Sequence, residues 1–134
     1  MQGTYDLCDF QITAAGTFTS TPIVDFNELA ALISLRFAYG SGGTSVKAYV
    51  QSSADQGSTW HDIWCLALAT AAEHEFKNFS ALTPKTAQTI PTDGSLTDDT
   101  AIDGILGDRF RVKIVVLGTY AGSTLLVGRL TVHR

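Results

Sequence analysis

The side chains with catalytic potential are few and scattered. Three histidines, His61, His74 and His133, fall in separate stretches of the chain. A nucleophilic triad needs a nucleophile within reach of a base, and a base oriented by a third group. Asp62 follows His61 directly, but neighbours on an extended strand point to opposite faces. The sequence holds no Gly-x-Ser-x-Gly and no His-Glu-x-x-His, and Gly40-Ser-Gly-Gly-Thr44 lacks the lysine and the length of a phosphate loop. The residues therefore predict no enzyme and no catalytic site. Asp93, Asp98, Asp99, Asp103 and Asp108 offer the oxygen ligands that Ca²⁺ takes. Their spacing lacks the EF-hand alternation and no Glu closes the set, so a solvated polar loop is expected, with cation binding as the alternative. Cys8 and Cys65 lie far apart and form no CxxC. They read as reduced, buried thiols, with a disulfide as the alternative. No cofactor is expected. Asn78-Phe-Ser80 is a formal glycosylation sequon that matters only in a secreted chain.

The most specific local pattern is Ser53-Ala-Asp55-Gln-Gly57-Ser-Thr59-Trp60. An Asp at this position can accept backbone N–H bonds across a turn. Gly57 supplies a backbone angle that other residues resist, and Trp60 can cover the turn from its apolar side. The pattern resembles the Asp-box hairpins of sialidase propellers, where the motif is structural and lies outside the catalytic centre. A propeller needs several blades, which 134 residues cannot hold. Ser53, Asp55, Gly57, Thr59 and Trp60 are therefore expected to form a structural hairpin clamp. Trp60 and Trp64 would share one face of the following strand. Exposed, they would make a sugar platform; buried, they would pin the core, which is the reading favoured in a small chain with few charges.

The elements that must carry these residues are strands. Ile33, Leu35, Phe37 and Tyr39 alternate with Ser34, Arg36 and Ala38, the mark of a half-buried strand. After the glycine turn, Val46, Ala48 and Val50 alternate with Lys47, Tyr49 and Gln51, which completes a hairpin. Trp60–Leu66, Ala71–Phe79, Phe110–Leu117 and Leu125–Val132 continue the series, and Cys8–Ile12 and Gly16–Thr21 begin it. About eight strands spaced by turns predict an all-β, antiparallel, jelly-roll-like sandwich in a single domain over 1–134. Asp25-Phe-Asn-Glu28 has capping-box spacing, with Leu29, Leu32 and Ile33 on one helical face, so a short helical turn is expected there. The stretch 80–108 keeps neither period and reads as a long irregular insertion. Its apolar residues Leu82, Ile90, Ile102, Ile105 and Leu106 are expected to be exposed in an isolated subunit and to touch another chain. Ile102, Ile105 and Leu106 would sit on a short helical turn.

Composition narrows the class. Charged residues make up 16% of the chain, below the roughly 25% of an ordinary soluble domain. The longest nearly apolar run, Leu66 to Ala72, is far short of the roughly 20 residues of a spanning helix. The formal net charge is −4 and no basic run interrupts it, so neither nucleic acid nor a membrane is an expected partner. Met1-Gln-Gly-Thr-Tyr-Asp6 has neither the basic start nor the apolar stretch of a secretory signal.

Taken together, Val46-Lys-Ala-Tyr-Val-Gln-Ser-Ser53, Asp55-Gln-Gly-Ser-Thr-Trp60, Asp62-Ile63 and Gly107-Asp-Arg-Phe-Arg-Val-Lys-Ile114 resemble the small β-sandwich virion proteins of tailed bacteriophages. Those chains often read Val-x-Val-Gln-x-Ser-x-Asp-Gly-x-Thr-Trp-x-Asp-Ile, then Arg-x-Arg-Val. The similarity spans Leu32 to Val132. This chain departs from it by Gln56 between Asp55 and Gly57, and by the length of the 80–108 segment. The resemblance implies a subunit made in the host cytoplasm and built into the virion, most simply as a capsid decoration or cement protein. Neck, collar or tail accessory subunits are the alternatives, and a carbohydrate- or receptor-binding module using Trp60 and Trp64 is the alternative of another class. The implied partners are other virion proteins, the major capsid protein or neck and tail proteins, with symmetric homo-oligomers. Attachment is expected through apolar packing and strand edges, with Cys8–Ile12 and Leu125–Val132 as the edges.

Overall fold

Alternation commits each segment to two faces, and the computed structural model, which describes residues 3–133, turns each of these segments into a strand. The strands are β1 (Thr4–Gln11), β2 (Gly16–Thr19), β3 (Ala30–Ala38), β4 (Ser41–Gly42), β5 (Ser45–Ser53), β6 (His61–Leu68), β7 (Glu73–Ser80), β8 (Thr100–Ala101), β9 (Arg109–Leu117), β10 (Tyr120–Ala121) and β11 (Leu125–His133). Met1 and Gln2, on which the N-terminal expectation partly rests, lie outside the described residues, as does the His133 side chain. No helix forms among the described residues, and so none is long and apolar enough to cross a membrane.

Two antiparallel sheets face each other, with strand orders β1-β11-β3-β7 and β2-β9-β5-β6-β8, and β10 with β4 makes a small ribbon. Leaving aside the two-residue strands, first pairs with last and the rest nest inside: β1 with β11, β2 with β9, β3 with β7, β5 with β6. This nested order is that of a jelly roll, the all-β sandwich predicted from the strand pattern. Ile33, Leu35 and Phe37 from one sheet and Val112, Ile114 and Val116 from the other belong to one buried cluster. Each such side chain contributes roughly 1.5–3 kcal/mol.

The edges differ from the expectation. β1 is an edge, but β11 lies between β1 and β3, so Leu125–Val132 offers no free edge. The reason is the wrapping itself: pairing first with last strand places one of the two inside the sheet. The four true edges are blunted. β1 carries a register shift between Asp6 and Cys8, β2 has four residues and β8 two. On β7, Glu75 and Lys77 pair with Leu35 and Ile33, whose side chains are buried between the sheets. Bulges, shortness and inward-pointing charges are the usual guards against edge-to-edge association.

Two expected helical turns are absent. At Asp25-Phe-Asn-Glu28 the backbone is recruited elsewhere: Phe26 N–H donates to the Asp108 carbonyl at 2.8 Å. The Phe26 ring packs edge-on against Phe110 at 4.6 Å, and Asp25 adopts φ 56°. Around Ile102, the amide extends the β8 pairing by donating to the Ile63 carbonyl at 2.8 Å. Gly104, at φ +85°, then turns the chain away.

Strand direction gathers the connections 20–29, 54–60 and 81–108 at one end of the sandwich, and the other four connections between the long strands at the other. The candidate site lies at the first end.

Candidate functional site: a loop stapled over one sheet face

The β5–β6 connection is a hydrogen-bonded knot. Ser53 Oγ donates to Asp55 Oδ1 at 2.9 Å and accepts from Gly57 N at 2.8 Å. Asp55 in turn accepts from the Thr59 amide at 2.8 Å and the Thr59 hydroxyl at 2.6 Å. The Thr59 hydroxyl, then the Thr59 amide and Ser53, hold the Asp55 carboxyl down at about 2. Gln56 and Gly57 both take left-handed angles, φ 59° and 89°. The inserted Gln56 is thus absorbed at an angle that costs a side-chain-bearing residue roughly 1–2 kcal/mol.

Trp60 and Trp64 do not share a face. Val50 pairs with Trp64 but Gln51 pairs with Asp62, so Ile63 is an extra residue in β6. Such a bulge resets the alternation. Trp64 therefore enters the core, whereas Trp60 is half-buried on the outer face, 4.3 Å from the Arg111 guanidinium carbon. A two-indole sugar platform does not form.

From Trp60 a polar chain runs along this outer face. Arg111 Nε donates to Gln51 Oε1 at 2.8 Å. Gln51 Nε2 donates to Asp62 Oδ1 at 2.8 Å and Asp93 Oδ1 at 2.7 Å. Lys113 Nζ completes the chain at 3.1 Å from Asp93 Oδ1. Burial pushes the Asp93 carboxyl up, but bonds from Gln51 and Lys113 and the charges of Lys113 and Arg111 outweigh it and leave it lowered.

Asp62 is the centre of the arrangement. Its buried carboxylate accepts from Thr92 Oγ1 at 2.8 Å and from three successive amides. Gly94 N lies 2.9 Å from Oδ2, and Ser95 N and Leu96 N each 3.1 Å. Consecutive amides converging on one anion form a nest; here the anion is the protein's own. Asp103 acts alike for the start of the segment, accepting from Ser80 N at 2.7 Å, Thr83 Oγ1 at 2.9 Å and Gly104 N at 2.8 Å. Burial opposes these bonds, which nevertheless leave the Asp103 carboxyl lowered. Asp99 accepts from Ala67 N at 3.0 Å, and Asp98 pairs with Lys47 at 3.0 Å. Asp93, Asp98, Asp99 and Asp103 are therefore committed to protein donors. Among the described residues no group of three His, Cys, Asp or Glu is placed to hold a metal ion.

Ile102, Ile105 and Leu106 are half-buried, and the last two pack against the core. This overturns their expected exposure, because the stapled segment folds back onto its own sheet. Leu82 and Ile90 stay outside, 69% and 79% exposed. A cleft of about 300 Å³ opens between Ala54, His61, Thr89, Pro91, Ile105 and Leu106. His61 Nε2 meets the Ile105 carbonyl at 2.9 Å. His74 lies on the other sheet, so the two described imidazoles do not come together. Cys8 and Cys65 are free and buried. Burial pushes their thiols up to about 12 and about 11, far from reactive thiolates.

Sequence reasoning missed Gln51, Asp62 and Arg111 as a unit. The available signal was an aspartate inside an otherwise apolar strand. No protein-family model matches the chain, and neither the curated proteins nor the solved structures yield a match.

Proposed function

We propose that the protein is a structural subunit of a tailed-bacteriophage virion, a capsid decoration or cement protein that works by protein–protein packing. The observation that carries this reading is the exposure of four large apolar side chains on the loop-bearing end. Val24, Leu29, Leu82 and Ile90 are all exposed there, on the 20–29 and 81–108 connections. Exposed apolar groups gathered at one end are what a docking surface presents. Asp62 and Asp103 hold the 81–108 connection in place, so less ordering entropy is lost on docking than for a free loop. The blunted edges favour attachment through this end over strand addition. The resemblance of the Val46–Ile63 and Gly107–Ile114 stretches to small virion proteins supplies the partner class.

The test is to purify particles carrying the wild-type chain or the Leu82→Asp/Ile90→Asp variant. Wild type should be retained in a fixed ratio to the major capsid protein, and the variant should be folded but absent. A ratio matching a single ring would move the protein to the neck or tail. Absence of the wild-type chain from particles would overturn the reading.

A further inference from the structure

The outer face of the four-stranded sheet is open, unlike its counterpart under the 81–108 segment. Register places Asp6, Arg129, Ser34 and Phe76 in one row across β1, β11, β3 and β7. Asp9, Val127, Arg36 and His74 form the next row. A hollow of about 230 Å³ lies between them, lined by Ser34, Arg36, His74, Val127 and Arg129, with no carboxylate among its walls. It is smaller than the roughly 300–1,000 Å³ of clefts that take drug-sized ligands, and suits a single ring.

Its walls are chemically specific. The Arg129 guanidinium is paired on the same face with Asp6, Nε to Oδ1 at 3.2 Å, and its Nη1 donates to the Gly128 carbonyl at 3.1 Å. Arg36 is exposed, and among the described residues it has no hydrogen-bond or ion-pair partner. His74 Nε2 and Ser34 Oγ are 3.0 Å apart. The His74 ring lies 4.5 Å from the Phe76 ring at 38°, and Phe76 is 56% exposed. The hollow is thus flanked by an aromatic pair and two guanidinium groups. Guanidinium groups are matched to carboxylates in shape and charge. The exposed Phe76 ring, tilted against His74, offers a surface for the apolar face of a sugar ring, and the bonded Ser34 hydroxyl and His74 imidazole keep further capacity for ring substituents.

We propose that this face binds a carboxylated saccharide. The sugar ring lies against Phe76, and its carboxylate is taken by the unpaired Arg36, with Arg129 beside it. An acidic peptide would offer carboxylates to the same arginines but no ring face for Phe76 to stack on, which is what favours a saccharide. The site is remote from the loop-bearing end, and the test uses the isolated chain, so its outcome is independent of whether the protein is built into a virion.

The experiment titrates the protein with oligogalacturonate and with sialyllactose, with the methyl ester of the first as the neutral control and oligoglutamate as the peptide control. Amide shifts are followed by NMR. At least one acidic sugar should bind, shifting Ser34, Arg36, His74 and Phe76, with the neutral ester at least about tenfold weaker. Arg36→Gln and Phe76→Ala, both at exposed positions, should each weaken binding by a similar factor while leaving the melting curve in place. The wild-type shift map stands as evidence even if a variant folds poorly. The proposal is overturned if neither sugar binds, if the shifts map elsewhere, if both folded variants bind like wild type, or if oligoglutamate binds equally well.

Discussion

Asp62 directs both its oxygens at donors from another part of the chain. Hydrogen bonds to a charged acceptor contribute about 1.5–3 kcal/mol each, and a buried donor left unpaired costs about 1–3 kcal/mol. Asp62→Ala should therefore cost at least about 3 kcal/mol by urea unfolding and free the Gly94, Ser95 and Leu96 amides to exchange. An unchanged midpoint would show that the nest is dispensable. The two indoles should separate in the same assay. Trp64 is enclosed in the core, so Trp64→Ala should cost about 3–5 kcal/mol. Trp60, half-buried over Arg111, should lose mainly a cation–π contact of about 0.5–2 kcal/mol. Equal losses would mean that the outer face is packed as tightly as the core. The lowered carboxyls set an acid limit. Asp55, Asp93 and Asp103 all sit below their ordinary values, so each binds protons more weakly folded than unfolded. Their stabilisation is complete above the unfolded value of about 3.9 and is lost as pH falls, for Asp55 through about 2. Melting temperature should hold to about pH 4 and fall below it, and Asp55→Asn should flatten that fall.

At the scale of elements, the 81–108 segment behaves as a third layer rather than as a free loop. Its amides at Gly94, Ser95, Leu96 and Ile102 all have partners in β6. Hydrogen exchange on the isolated protein should protect these positions, together with Ala81, whose amide donates to the Leu29 carbonyl, and leave the amide of the exposed Ile90 fast. Uniformly fast exchange through the segment would contradict the staples. The β7 edge offers a second test. Glu75 and Lys77, with Glu73 and Asp99 nearby, put charge on the inner edge beside Trp64 and Leu66. Replacing both with Val should raise the tendency to self-associate, since inward charge is a guard against edge pairing. Light scattering that stays monomeric would assign that role to strand shape alone.

For the whole molecule, the proposed attachment through an apolar end would carry a salt signature. Screening at about 1 M salt shortens the Debye length to about 3 Å, which weakens exposed ion pairs and leaves apolar burial intact. Particles washed at that salt should keep the protein. Release at high salt with retention at low salt would make the docking surface electrostatic and remove Leu82 and Ile90 from it.

What the sequence determined by itself was local. Alternation set the long strands and their faces, because successive side chains must point oppositely. Ser53, Asp55, Gly57 and Thr59 specified a turn whose bonds span at most a few residues. Tertiary structure decided everything that depends on a partner far along the chain. Sheet order turned β11 from an expected edge into an interior strand. The register shift at Ile63, visible only once β5 lies beside β6, put Trp60 and Trp64 on opposite faces. The 81–108 segment has no period of its own, because its shape is imposed by donors and acceptors elsewhere: Asp62 thirty residues before Thr92, and the Ile63 carbonyl that takes the Ile102 amide. A backbone that satisfies its hydrogen bonds against another segment leaves no periodic trace in its own residues, which is why the strands were legible and the stapled loop was not.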